Sequence, residues 1–299
     1  MRIGLSLSST HAVEDRREGV RRMVERAAAG AAANLDTLSI GDHHTQKDYY
    51  QNTPMLGRLL AEWNDSPAGC LFLVPLWHPV IMAEHIGTLA AIHSGPFIVQ
   101  TGLGRGERQF AAMGVDIGHR PSLFEETVRV VRSLLAGETV SSERLAITDA
   151  HIGILPPEPV EWWIGAMAFP AVDRAARLGD SYYGGPTEPD SARAVLRHYL
   201  DRCEAYGRTP KTLAARADVI VTADPADARR LAEDIVASGY RGGMTIDSVI
   251  AGSPEQVAER FAPLGDVGYD EMVCRCMTVP QSVALETIGL LGEVRALLR

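Results

Sequence analysis

Gly41-Asp42-His43-His44-Thr45 directly follows the apolar stretch Leu35-Asp36-Thr37-Leu38-Ser39-Ile40. That stretch reads as a short buried strand, so the polar cluster sits at its carboxyl end. Barrels and sheets of parallel strands concentrate their chemistry at that end. A histidine placed there titrates near neutral pH and can hold, donate or accept a proton. Pro75-Leu76-Trp77-His78-Pro79 follows the next strand, and Gly102-Leu103-Gly104-Arg105-Gly106 follows the one after it. Three successive strand ends carrying polar or glycine-rich residues point to one pocket.

Spacing narrows the chemistry. Adjacent residues on an extended strand face opposite ways, so His43 and His44 do not readily share a metal ion. Asp42 can orient either of them, and spacing alone does not choose. His78 with His85 makes no zinc site, since two histidines are too few; His85 and His93 read as packing or surface residues of their helix. The third glycine of a G-x-G-x-x-G fingerprint falls at Glu107, and the motif follows the fourth strand rather than the first, so a dinucleotide site is not indicated. The same turn lets backbone and Arg105 approach an anion at a helix start. Neither a G-x-S-x-G elbow nor a P-loop occurs. Leu71, Leu73, Trp77, Trp162 and Trp163 are candidate walls for a flat ligand, although most of them fit core packing.

These residues need a scaffold, and the hydrophobic pattern supplies one. Strands are expected at 2–8, 35–40, 69–76, 96–102, 161–165, 181–184, 213–222 and 269–277. Helices are expected at 13–33, 78–94, 105–113, 121–136, 170–178, 189–206, 225–238, 254–262 and 280–298. Near-continuously apolar strands alternating with helices indicate a parallel sheet covered by helices. Eight such units close a barrel, so the expected architecture is α/β, a (β/α)8 TIM barrel in a single domain over 1–299. Insertions follow strand four, a strand-poor stretch at 138–159, and strand seven, a loop-rich stretch running to Pro254. An open doubly wound sheet is the competing arrangement.

The chain has 299 residues, 46% of them hydrophobic and 22% charged, with a formal net charge of −9. That acidity argues against nucleic acid and anionic membranes as partners. Cys70, Cys203, Cys274 and Cys276 form no C-x-x-C pair and fit reduced thiols, which suits a cytoplasmic setting. The opening Met1–Leu7 is too short and strand-like for a signal peptide, and no apolar run reaches the roughly 18 residues of a membrane span.

Read together, Asp42-His43-His44, Val74-Pro75-Leu76-Trp77-His78-Pro79, Ala83-Glu84-His85, Ser94-Gly95 and Gly102-Leu103-Gly104-Arg105-Gly106 resemble the bacterial-luciferase-like, flavin-dependent oxidoreductase superfamily. Phe110–Asp116, Phe124-Glu125-Glu126, Ile164-Gly165-Ala166, Ala175–Asp180 and Gly252–Val257 continue the likeness along nearly the whole chain. The resemblance implies a (β/α)8 barrel holding FMN, or alternatively the deazaflavin F420, at its C-terminal face. It assigns catalysis to His43, with Asp42 standing where the luciferase branch has glutamate. It places a non-prolyl cis peptide at Cys70-Leu71, behind the flavin ring. Flavin phosphate falls to Arg105 in the turn with Gly102 and Gly104, to Arg120 as a second contact, and to the loop Gly165-Ala166-Met167. That loop lacks the serine or threonine hydroxyls usual in the family, which leaves backbone N–H groups at the start of helix 170–178.

The expected activity is luciferase-like monooxygenation of a small organic substrate by reduced FMN and O2, with a partner flavin reductase supplying the cofactor. The alternative is F420-dependent hydride transfer to or from an organic substrate. From other classes come a metal-dependent TIM-barrel hydrolase and a catalytically silent flavin-binding protein. A homodimer through barrel helices is the expected assembly.

Overall fold

The computed structural model describes residues 1–11, 13–184, 188–240 and 244–299. Its strands are β1 (Arg2–Leu7), β2 (Thr37–Ile40), β3 (Ala68–Leu73), β4 (Phe97–Gly102), β5 (Val140–Ser142), β6 (Ile147–Ala150), β7 (Glu161–Ala166), β8 (Ser181–Gly184), β9 (Leu213–Val221), β10 (Ile250–Gly252) and β11 (Glu271–Cys276). Its helices are α1 (Arg16–Ala32), α2 (Asn52–Leu59), α3 (Pro79–Ile92), α4 (Glu107–Ala112), α5 (Arg120–Leu135), α6 (Phe169–Leu178), α7 (Pro189–Ala205), α8 (Pro225–Ala237), α9 (Pro254–Val267) and α10 (Gln281–Leu297). The order β11-β1-β2-β3-β4-β7-β8-β9 is parallel throughout, and β8–β9 and β9–β11 pairing closes it into a (β/α)8 barrel.

The expected alternation holds, with instructive differences. The third strand stops at Leu73, and Val74–Leu76 is a single 3-10 turn. Pro75 has no N–H to extend a ladder. Between β2 and β3, where periodicity gave no element, lie α2 and a further 3-10 turn at Leu60–Glu62. The stretch after the fourth strand folds its β5 and β6 into an antiparallel hairpin. Helix α9 continues through Pro263 instead of stopping before it. The carbonyl that Pro263 leaves without a donor is that of Glu259, an exposed residue, so the solvent can satisfy it. The loop after α8 forms β10, which adds to β9 outside the barrel ring. The described peptide bonds are all trans, Cys70–Leu71 included, so the expected cis bond is not found there.

Strand alternation sorts side chains into a shell packed under the helices and an interior of the barrel. Ile98, Trp163, Tyr183, Ala214 and Val273 form a separate apolar layer across that interior. Below it, toward the amino ends of the strands, the interior is polar. Trp163 Nε1 donates to Glu161 Oε1 at 2.9 Å, and the Ser181 hydroxyl donates to the same oxygen. Glu271 is fully buried beside them, with Arg2 Nη2 3.2 Å from its Oε2. Gly4 makes room for it, since a Cβ there would lie 2.5 Å from Glu271 Oε1.

Burial pushes the Glu271 carboxyl up to about 7, against the opposing pull of Arg2 and of the Thr37 hydroxyl. A carboxyl whose folded pKa exceeds its unfolded value keeps its proton preferentially in the fold. Its contribution is complete below the unfolded value, declines as pH rises toward 7 and is absent above. Glu271→Gln is therefore expected to stabilise the protein by on the order of 2 kcal/mol at pH 8 and by little at pH 5, read from urea unfolding at both pH values. An equal effect at the two pH values would contradict this.

Candidate active site

Asp42 leaves β2 inside the protein, 1% exposed, and its carboxylate organises the ends of two strands. Its Oδ2 accepts from the Leu73 N–H at 2.7 Å and from Trp77 Nε1 at 2.8 Å. Its Oδ1 lies 3.4 Å from His44 Nε2. The backbone N–H of His44 donates to Gln109 Oε1 at 3.0 Å, tying the loop to α4. The ring of His44 packs edge-on to Trp77, as does that of His85, whose Nδ1 is 2.8 Å from the Thr53 hydroxyl. Asp42 therefore engages His44, and His44 is turned into the protein.

His43, on the opposite face, lines a cavity of about 1160 Å³ at the carboxyl ends of the barrel strands. Its ring stacks tilted on Tyr49 with centroids 4.2 Å apart. Tyr49 is positioned by a zipper between the loops after β1 and β2. Thr10 and Tyr49 form an antiparallel bridge, Tyr50 N donates to Ser9 O at 2.8 Å, and His11 N to Asp48 O at 3.2 Å. Thr45 and Asp48 adopt left-handed backbone, with φ of 54° and 66°, so the loop is bent into this path at some cost.

The other expected residues divide between cavity and core. Leu71, Gly102, Gly104, Arg105, Gly165, Ala166 and Met167 line the cavity with His43. Cys70 does not reach it. Alternation turns its side chain outward with Phe72 into the shell under the helices, while Leu71 and Leu73 face in. Burial pushes the Cys70 thiol pKa up, assisted by the charge of Asp42. Arg120 does not reach it either, because it opens α5 after the 3-10 turn at Ile117–His119. Trp77, Trp162 and Trp163 pack within the protein and are not among the cavity walls.

Sequence reasoning missed part of the lining. Gln100, Arg216, Asp218 and Arg275 all face the cavity from barrel strands. Arg275 Nε meets Asp218 Oδ1 at 2.9 Å, and its Nη2 donates to the Tyr240 hydroxyl at 2.6 Å. The available signal was charge inside apolar strands. Ala214-Ala215-Arg216-Ala217-Asp218 and Cys274-Arg275-Cys276 place charges where a buried strand ordinarily has none.

A planar redox ligand fits this cavity. Leu7, Leu71 and Leu73 supply apolar wall, and Gly41 opens it, since a Cβ there would meet nothing within 4 Å. The Gln100 amide nitrogen is buried and lacks an acceptor among the described residues. At the rim, exposed Arg105 and the Gly165–Met167 backbone lie beside the start of α6, whose N-cap, Ala168, offers no side-chain bond. Among the described residues no three His, Cys, Asp or Glu side chains gather as a metal-holding set. Nor is any described helix long and apolar enough to cross a membrane.

The family model described as luciferase-like monooxygenase matches residues 1–248. The chain is similar to a 5,10-methylenetetrahydromethanopterin reductase of Methanolobus tindarius, 26% identical over 259 residues, covering 83% of this chain and 74% of that protein. It is also similar to an F420-dependent glucose-6-phosphate dehydrogenase of Microbacterium testaceum, 22% identical over 298 residues, covering 85% and 87%. Among solved structures, a monooxygenase of Streptomyces bottropensis superposes with a TM-score of 0.80 at 18% identity over 98% of each chain. An F420-dependent secondary alcohol dehydrogenase superposes with a TM-score of 0.80 at 16% identity over 100% of each. At such identities the superpositions establish the barrel and nothing finer.

The Asp42 network yields a stability prediction. Asp42→Ala strands the Leu73 N–H and the Trp77 indole N–H away from solvent, and is expected to cost about 3 kcal/mol with a change in tryptophan emission. A loss below about 1 kcal/mol in urea unfolding would remove Asp42 from this structural role.

Proposed function

Because the chain belongs to the luciferase-like monooxygenase family, an oxidoreductase family, we propose that it transfers hydride between the deazaflavin F420 and a small organic substrate in the cavity at the barrel mouth. The observation that carries the reading is this cavity, lined by His43 on one side and by Arg105 with Gly165–Met167 at the rim. The cofactor choice is supported by a sequence relative that aligns over most of this chain and is named for F420.

Bound in the cavity, F420 supplies two-electron hydride chemistry. Leu7, Leu71 and Leu73 would enclose its ring and exclude water. Arg105 and the backbone N–H groups entering α6 would hold its phosphate. His43 holds or delivers the proton that accompanies hydride at the substrate, with Tyr49 fixing the orientation of the imidazole. The family description, luciferase-like monooxygenase, supports a second reading, oxygenation of the substrate by O2 with reduced FMN that a separate reductase would deliver.

Titration of the purified protein with F420 and with FMN, each followed by fluorescence, separates the two. Micromolar binding of F420 and none of FMN is expected, and the reverse overturns the proposal. His43→Ala is expected to keep cofactor affinity and lower turnover by about tenfold or more. Unchanged turnover would return His43 to a structural role.

A further inference from the structure

The inner part of the cavity carries charges that the reading above does not use. Arg216 and Asp218 on β9 and Arg275 on β11 project into it just above the apolar layer containing Ala214 and Val273. Asp218 is 3% exposed, and its Oδ1 is committed to Arg275 Nε at 2.9 Å. Arg275 is held further by the Tyr240 hydroxyl. Arg216 differs. Its Nη2 lies 4.0 Å from Asp218 Oδ2, beyond hydrogen-bond reach, and its side chain keeps 34% of its surface exposed to the cavity.

Among the described residues, two guanidinium groups thus face the Asp218 carboxylate, and that of Arg216 is the one held beyond hydrogen-bond distance of it. Among the described residues, the other acids of the lining make no ion pair with Arg216. Glu188 spends its carboxylate on the Asp190 and Ser191 N–H groups at the start of α7. Asp42 is engaged by Leu73 and Trp77, and Asp247 is exposed at the rim. A surplus guanidinium in a concave, partly desolvated site is stabilised by an anion, and its planar fork suits carboxylate and phosphate oxygens.

We propose that Arg216 is a specificity-determining residue that binds an anionic group, a carboxylate or a phosphate, on the organic substrate. Because it names the substrate class of the same site, the proposal rests on the function proposed above. The cofactor also carries phosphate, but Arg105 and the Gly165–Met167 backbone, at the rim, are the groups that would meet it. Arg216 sits mid-strand, opposite Val273 of the apolar layer, and so at a different depth.

Inorganic phosphate and acetate, titrated by calorimetry into protein saturated with F420, test this. Saturable binding of at least one anion is expected, weakened about tenfold or more in Arg216→Met and retained in Arg216→Lys, with F420 affinity the same in all three proteins. The preferred anion identifies the substrate's group. Absence of anion binding by the F420-loaded wild type, or equal binding by Arg216→Met, overturns the proposal. So does displacement of the anion by F420 together with weaker F420 binding in Arg216→Met, which would give Arg216 to the cofactor. If F420 fails to bind at all, the functional reading fails separately. Anion binding by the cofactor-free protein that is lost in Arg216→Met would then still support the subsite.

Discussion

One carboxylate sets the geometry of the barrel mouth. Asp42 accepts from the Leu73 N–H and the Trp77 indole, with the His44 ring 3.4 Å from its other oxygen, and so fastens the end of β2 to the end of β3. These are donors that a loop at the top of a barrel would otherwise present to water. Bonds from a buried carboxylate to such donors are worth more than neutral ones, and breaking one leaves a desolvated partner. With His44 pulled inward, alternation sends His43 outward into the cavity. The side chain that can do chemistry is aimed by its neighbours, which do none.

Holding the loop in that path needs more than Asp42. Gln109 takes the His44 N–H from one side, and the bridge from Thr10 to Tyr49 draws the loop toward β1 on the other. Arg16 closes the outer edge through Asp48 at 2.6 Å. Left-handed backbone at Thr45 and Asp48 is tolerated because these contacts over-determine the loop. A rigid frame around His43 and Tyr49 is what a proton-handling group requires, since small displacements of such groups reduce rate sharply.

The barrel itself was legible from the repeated alternation of a mostly apolar strand segment with a helical pattern, eight times along the chain. So was the cavity wall built by His43, Leu71, Arg105 and Gly165–Met167. What stayed hidden has physical causes. The partner of Asp42 is a backbone N–H at Leu73, and backbone groups carry no sequence signature. Helix α2 is short, and the hairpin of β5 and β6 has few alternating positions, so neither shows a clear period. Cys70 and Leu71 could be told apart only after the register of β3 against β4 was known, because a shift of one residue exchanges their faces. Arg216, Asp218 and Arg275 stood in plain sight, as charges inside apolar strands.

The same period of two explains how one barrel carries two unlike polar interiors. Glu271, Val273 and Arg275 alternate along β11 and face inward together, and Ala214, Arg216 and Asp218 do so along β9. Val273 and Ala214 belong to the apolar layer, so each strand passes from structural interior through a dry partition to cavity floor. Below the partition, Glu271 sits beside Arg2, and Glu161 is satisfied by Trp163 and Ser181. Above it, Arg275 is ion-paired with Asp218 at 2.9 Å, and Arg216 faces the cavity 4.0 Å from the same carboxylate, a distance no hydrogen bond spans. Packing of the barrel does not require that guanidinium, since a half-buried aliphatic chain would fill its place without the desolvation cost of a charge. Its cost to the fold is therefore best offset by a ligand, which ties the electrostatics of the floor to what the cavity receives.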